Sequence, residues 1–450
     1  VQLPVPARWP HFASLFAART FAIGLLLLLI GGFLLREGLI QVRRGAEAIE
    51  RTYSARGVPK LPGNDFPMFF AGASAAASSE RARLYDPEVV VKGILHAQGY
   101  AADAIPPQPD PDAPEYQWLR YYNPPAYLLA FSPLTFLDVR TAYLVALGIN
   151  LGLLAALVAA IGQILRWRQP HSTLLVLALL AFVPVYFALH HAQPTVLIAL
   201  LVSLGYLALR SGRRYLGGAL LALTGVKPHW LLTIAAGLKD RQALIVLVAS
   251  AAAFICLPFL FVGPEAAFDW VRLMLGRGSG DVQQEGYGSA LMGWAGFVHA
   301  ITGQPQAWLW LPPSLLTLAL FAAVWLRGSG PGVTLAAAIL AGLLAVPHSL
   351  PQDWMLVVPV AAILLSLRWT PLGFAGICAG LLGILAGAND WLEAQRAVDE
   401  QGSAVLWVTL AAFALLLWLA LLVWLTSVPD EHDAEAQAPG EAASLVARSS

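Results

Sequence analysis

The sequence predicts an all-α integral membrane protein: a polytopic bundle of about twelve passes with a long extracytoplasmic first loop that carries amphipathic helices. Three observations carry that expectation. First, 58% of the 450 residues are apolar and 12% are charged, with a mean hydropathy of +0.67; soluble domains carry about 25% charged residues. Second, apolar runs long enough to cross a hydrocarbon layer of about 30 Å recur along the chain. Third, the short connections between them alternate between basic and nearly base-free. Lys and Arg together equal Asp and Glu, 27 against 27. This composition excludes a disordered chain, a disulfide scaffold and a basic nucleic-acid binder. Cys256 and Cys378 both lie in apolar runs, where a thiol acts as a small hydrophobe.

The apolar runs fall at 16–35, 140–165, 173–189, 195–209, 243–262, 313–326, 334–346, 355–367, 372–388 and 405–425. Arg8 and Arg19 precede the first run and Arg36-Glu37 follows it, where a signal-peptidase site would need small residues. The first run therefore reads as a retained span. A further run, 216–238, is interrupted by Lys227-Pro228-His229. Both of its ends, Arg213-Arg214 and Lys239 with Arg241, are basic and so cytoplasmic by the positive-inside rule. The run then enters and returns as two short helices with Lys227 at the tip. Arg166, Arg168, Arg210, Arg327 and Arg368 mark other inner turns.

The loop 36–125 is then extracytoplasmic, because long loops translocate regardless of charge. Within it 38–56, 66–84 and 87–98 read as helices, and 105–114, with five prolines, as an extended connector. A second external segment, 263–305, contains a helical stretch at 265–275 and a Gly-rich stretch, 287–302, that is too short to span and reads as re-entrant. The spans and loops, 1–428, form one domain, and 429–450 is a disordered acidic cytoplasmic tail. No internal repeat is visible, unlike transporters built from inverted halves.

Polar groups at membrane depth or at a span mouth are the informative ones. In this topology Asp65, His190, His191, Gln193, Lys227, His348 and Asp353 all fall at the outer face. Asp65, in Gly63-Asn64-Asp65-Phe66-Pro67, stands where it either caps a helix start or serves as a general base. Lys227 inside an apolar run must snorkel, pair or meet an anion, and Pro228 directly after it makes a phosphate the favoured partner. His348 is either a solvated turn residue or, beside Asp353, part of a site. Of the adjacent His190 and His191 one is structural, and Gln193-Pro194 also reads as a simple helix start. Asp110-Pro111-Asp112 matches a DxD pattern but lies in the proline-rich connector. No metal-ligand spacing, Walker loop or nucleotide-binding Gly-rich turn is present, so no metal and no cofactor is expected.

Together these residues resemble glycosyltransferase family 87, bacterial polyprenyl-phosphate-mannose-dependent mannosyltransferases and relatives of the GT-C fold. The segments that carry the resemblance are Asn64-Asp65-Phe66, Leu84-Tyr85-Asp86-Pro87, Tyr122-Asn123-Pro124-Pro125, Phe131-Ser132-Pro133-Leu134, Gln193-Pro194-Thr195, Val226-Lys227-Pro228-His229 and Val346-Pro347-His348. The chain departs from the family pattern at Ala192, where Gly is expected, and at Ser349–Asp353, where a Tyr-Asp pair is expected.

The resemblance implies a membrane glycosyltransferase. It would move a sugar, mannose in the family's usual case, from a polyprenyl-phosphate donor to a glycolipid or glycan hydroxyl, inverting C1. It places the protein in the bacterial inner membrane with its site on the extracytoplasmic side. It makes Asp65 the base and sets His348 and Lys227 near the donor phosphate. By the same resemblance Tyr122, His191 and Gln193 would line the sugar pocket, and Asp353 would be a further donor-site residue. A single carboxylate base suits inversion by analogy with glycosidases. Rival readings are a flippase of lipid-linked sugar, which needs charges at the bilayer midplane, and an envelope polysaccharide polymerase or ligase, which Arg272 and Arg277 would serve.

Overall fold

The computed structural model describes residues 30–40, 43, 65–97, 123–167, 170–276, 291–303, 306–327, 330–367, 369–394 and 401–425. Residues 16–29 of the first span, most of the 38–56 helix, the proline-rich connector with Asp110 and Asp112, Tyr122, Arg277 and the acidic tail lie outside them. The described residues are helical throughout, apart from turns and a single bridge between Met292 and Ser349.

In chain order the helices are α1 (30–40), α2 (Asp65–Ala76), α3 (Pro87–Ala97), α4 (Pro125–Phe131), α5 (Val139–Ile164), α6 (His171–Ala181) and α7 (Val183–His190). Then come α8 (Thr195–Arg210), α9 (Arg214–Ala222), α10 (Pro228–Gly237), α11 (Arg241–Cys256), α12 (Phe259–Val262) and α13 (Pro264–Gly276). The last are α14 (Gly293–Thr302), α15 (Ala307–Leu326), α16 (Pro331–Ala345), α17 (Val357–Ser366), α18 (Pro371–Ala394) and α19 (Gln401–Leu425). Expected helices at 87–98 and 265–275 appear as α3 and α13. The expected helix 66–84 is α2 followed by a 3-10 turn, Ser79–Arg83.

Among the described residues, five helices are long and apolar enough to cross a membrane: Val139–Ile164, Arg241–Val262, Ala307–Leu326, Pro371–Asn389 and Ala404–Leu425. The chain is a membrane protein. The runs at 195–209, 334–346 and 355–367 also fold as apolar helices, but shorter ones; the 16 residues of α8 reach only about 24 Å.

The run at 173–189 is broken into α6 and α7, which meet at 57°. Pro184 causes the break, since it has no N–H and its ring crowds the Leu180 carbonyl one turn earlier. That carbonyl accepts instead from the Tyr186 hydroxyl at 2.9 Å. The Val183 N–H, left over at the break, donates to Asn389 Oδ1 of α18 at 3.2 Å. Apolar surroundings require such substitutes.

The interrupted run folds as a hairpin. Arg214, which opens α9, pairs with Asp240 after α10, Nε to Oδ2 2.9 Å. Asp240 also caps α11 by accepting from Ala243 N at 3.0 Å. Glycines let these helices pack backbone to backbone. A Cβ on Gly218 would lie 2.4 Å from the Ala243 carbonyl, and one on Gly237 3.1 Å from Leu335 Cα. The hairpin tip packs against α8 and α11, and its Thr224, Gly225, Val226 and Lys227 are buried. The stretch expected to be re-entrant folds as α14, whose Trp294, Ala295, Gly296 and Val298 are buried.

The two ends of the bundle differ. At one end Lys239 lies over the Trp325 ring at 5.4 Å and Arg327 over the Trp424 ring at 5.3 Å, contacts that suit a membrane interface. The polar site lies at the opposite end of α10. An apolar cavity of about 420 Å³ opens between α1, α6, α17 and α18, lined by residues such as Leu34, Leu174, Phe182, Val358 and Leu381.

Candidate active site

The site is assembled from the start of α2, the turn between α7 and α8, the hairpin tip and the 3-10 turn Pro351–Leu356. Asp65 opens α2. Phe66 beside it is fully buried and packs edge-on against Tyr143 of α5, ring centroids 5.3 Å apart. The Tyr143 hydroxyl donates to the His190 carbonyl at 3.1 Å. One side chain therefore fixes both the residue after Asp65 and the residue before His191.

The turn after α7 is a Schellman motif. His191 is the C-cap; Ala192 N donates to Leu189 O at 3.1 Å and Gln193 N to Ala188 O at 2.9 Å. Ala192 stands in the left-handed position with φ +50°. Glycine is the usual residue there, because a Cβ costs roughly 1 kcal/mol. The Ala192 methyl is buried with Phe66, Ala142, Tyr143 and Ala146, which offsets part of that cost.

This turn aims two side chains at one oxygen. His191 Nδ1 lies 3.1 Å from Asp65 Oδ2, and Gln193 Nε2 donates to the same oxygen. A carboxylate only accepts, so His191 carries its proton on Nδ1 in this contact, and the Gln193 amide must face it with nitrogen. Gln193 Oε1 consequently points away; it is buried and has no hydrogen-bond partner among the described residues. Burial raises the pKa of Asp65, but the His191 and Gln193 hydrogen bonds and the charges of His191 and Lys227 outweigh it and hold the group below 3.8. About a fifth of the Asp65 side chain is exposed, 19%.

A second cluster adjoins the first. Lys227 Nζ donates to Asp353 Oδ1 at 2.7 Å and lies 3.5 Å from Thr195 Oγ1, two residues after Gln193. Trp230 Nε1 also donates to Asp353 Oδ1, at 3.3 Å, and the Leu350 N–H to Oδ2, at 3.2 Å. Both charged side chains are buried, with 9% and 1% of their surface exposed. The Gln193-Pro194-Thr195 turn thus touches Asp65 at one end and Lys227 at the other.

Of the residues singled out in the sequence, Asp65, His191, Gln193, Lys227 and Asp353 come together. His348 sits in the turn before Ser349, whose carbonyl bridges to Met292 N at 2.8 Å. Tyr122 lies outside the described residues, but the adjacent Asn123 carbonyl accepts from the Tyr85 hydroxyl at 2.8 Å, which joins two of the family-like segments. The sequence reading missed Tyr143, Tyr127 and Trp230, and it gave Thr195 no role of its own. Tyr127 packs on Phe69 and its hydroxyl reaches the Ala192 carbonyl at 3.4 Å. A hydroxylated or indole side chain within or beside an apolar run was the available signal. Among the described residues no cluster of His, Cys, Asp or Glu is arranged to hold a metal.

A family model for glycosyltransferase family 87 matches residues 121–349, just over half of the chain. The chain belongs to glycosyltransferase family 87. It is therefore a glycosyltransferase, and its substrates are a sugar donor and an acceptor. No curated protein and no solved structure matches the chain. The matched segment of this family 87 enzyme includes His191, Gln193, Lys227 and His348. Asp65 and Asp353 lie outside it and are joined to it by the contacts described above.

Proposed function

We propose that this enzyme moves a sugar, mannose in this reading, from a polyprenyl-phosphate donor to a glycolipid or glycan hydroxyl at the extracytoplasmic face of the bacterial inner membrane. The observation that carries the reading is the anchoring of Asp65. One carboxylate oxygen is held by His191 and Gln193, which leaves Oδ1 to take the acceptor proton. The acceptor oxygen attacks C1 of the sugar, the bond from C1 to the phosphate oxygen breaks, and the proton passes to Asp65. Attack opposite the leaving phosphate inverts C1.

The departing phosphate needs positive charge or N–H donors where its charge develops. Lys227 and His348 supply them, together with the start of α10, which has no side-chain cap. Asp353 keeps the Lys227 ammonium in place, and Gln193 and Tyr122 are the sugar-binding residues of this reading. The isoprenoid tail stays in apolar surroundings, for which the cavity beside α6 and α17 is suited. About twelve passes, with the hairpin counted as two, set the site outside. The cationic and aromatic residues at the opposite end support that orientation.

The test is transfer by the purified protein from polyprenyl-phosphate-mannose to a membrane acceptor. Asp65→Asn should lower the rate by about 100-fold or more, as loss of a general base does. Transfer near the wild-type rate would remove Asp65 from the role. A tag at Asp110 reached only from the cytoplasm would put the site on the wrong side for this donor.

A further inference from the structure

His191 is more completely built into the structure than a sugar contact needs to be. Its N–H donates to the Phe187 carbonyl at 3.0 Å, its ring stacks on Phe187 at 5.6 Å and 25°, and its edge meets His190 at 5.3 Å. The Schellman motif fixes its backbone, and Tyr143 holds the carbonyl just before it. After all these constraints the one polar atom directed at a reacting group is Nδ1, 3.1 Å from Asp65 Oδ2.

We infer that His191 is the positioning residue of Asp65: its Nδ1–H holds Oδ2 so that Oδ1 faces the acceptor hydroxyl. This rests on the reading of Asp65 as the base and replaces the sugar-pocket role for His191. Gln193 alone does not suffice, since a single donor leaves a carboxylate free to swing about the bond to its Cβ. Two donors on one oxygen from a rigid turn fix the plane as well as the direction. A base displaced by about 1 Å loses about 100-fold in rate.

The groups that act on Asp65 are His191, Gln193 and Lys227, with Tyr127 and His190 close by. Removing the His191 donor takes away the largest of the influences that lower the Asp65 pKa, so the carboxyl must then titrate at higher pH.

Two variants of the full-length protein in lipid nanodiscs test this. His191→Phe keeps a ring for Phe187 but has no donor. His191→Asn places an amide nitrogen near the position of Nδ1. With polyprenyl-phosphate-mannose as donor, kcat of His191→Phe should fall by about 100-fold with little change in the donor KM. The acid limb of its pH–rate profile should move up, and His191→Asn should restore part of both. A raised KM at unchanged kcat and an unmoved acid limb would make His191 a sugar contact and overturn the inference. Infrared difference spectra against Asp65→Asn follow the Asp65 carboxyl without any substrate. An unmoved titration in His191→Phe also overturns it. If instead Asp65→Asn transfers sugar normally, it is the base assignment that fails.

Discussion

Lys227 and Asp353 show how far single residues in this site depend on each other. Removing one partner of a buried ion pair strands the other charge and costs about 3–5 kcal/mol. Asp353→Asn and Lys227→Met should therefore each lower the melting temperature strongly, because both side chains are almost wholly buried. The double variant should regain much of that stability, since no stranded charge remains, yet stay inactive. A double variant no more stable than the singles would show that the pair is not coupled. The sequence made Lys227 conspicuous as a lysine in an apolar run, but its partner was obscured. Asp353 lies 126 positions away in a turn that departs from the family pattern. Ala192 was visible as a departure too. Its left-handed φ was not, because backbone conformation at a helix C-cap follows from the turn around it.

At the scale of elements, the break between α6 and α7 rests on two substitutes for lost helix hydrogen bonds. Asn389→Ala should cost about 1–3 kcal/mol, since the Val183 N–H would then face apolar neighbours without an acceptor. Thermal unfolding in detergent would measure it, and a change under a few tenths would mean another group takes the bond. The apolar run 173–189 was legible, but its 57° bend was not read from Pro184. The hairpin was legible for a different reason. Its two basic ends implied that both lie on one side, and the Arg214–Asp240 pair brings those ends together. Boundaries within the short helices were less accessible, because residues such as Gly218 and Gly237 act through neighbours more than 20 positions away.

For the whole molecule, the acid range reports on the site. The folded Asp65 sits below 3.8, so the unfolded chain takes up its proton first as the pH falls. The stability this group contributes is complete above its unfolded value and disappears as the pH drops through the folded one. Between about pH 6 and about pH 3, Asp65→Asn should therefore lose less stability than the wild type. Equal losses would mean that the folded and unfolded carboxyls titrate alike. The membrane class and the convergence of polar groups at one end were readable because hydrocarbon penalises every unpaired charge, which leaves the few exceptions conspicuous. The partnerships among them depend on tertiary packing. Asp65 meets His191 where Tyr143 packs on the Phe66 ring and bonds the His190 carbonyl.

The two charged contacts of the site each join residues 126 positions apart. During synthesis, at roughly 5–20 residues per second, Lys227 exists for on the order of ten seconds before Asp353 is made. In that interval Lys227 lacks the carboxylate it meets at 2.7 Å, and Asp65 is the acidic group on which its charge already acts. The ion pair at the tip is therefore among the last contacts of the site that synthesis can complete, and a chain cut short before residue 353 cannot form it.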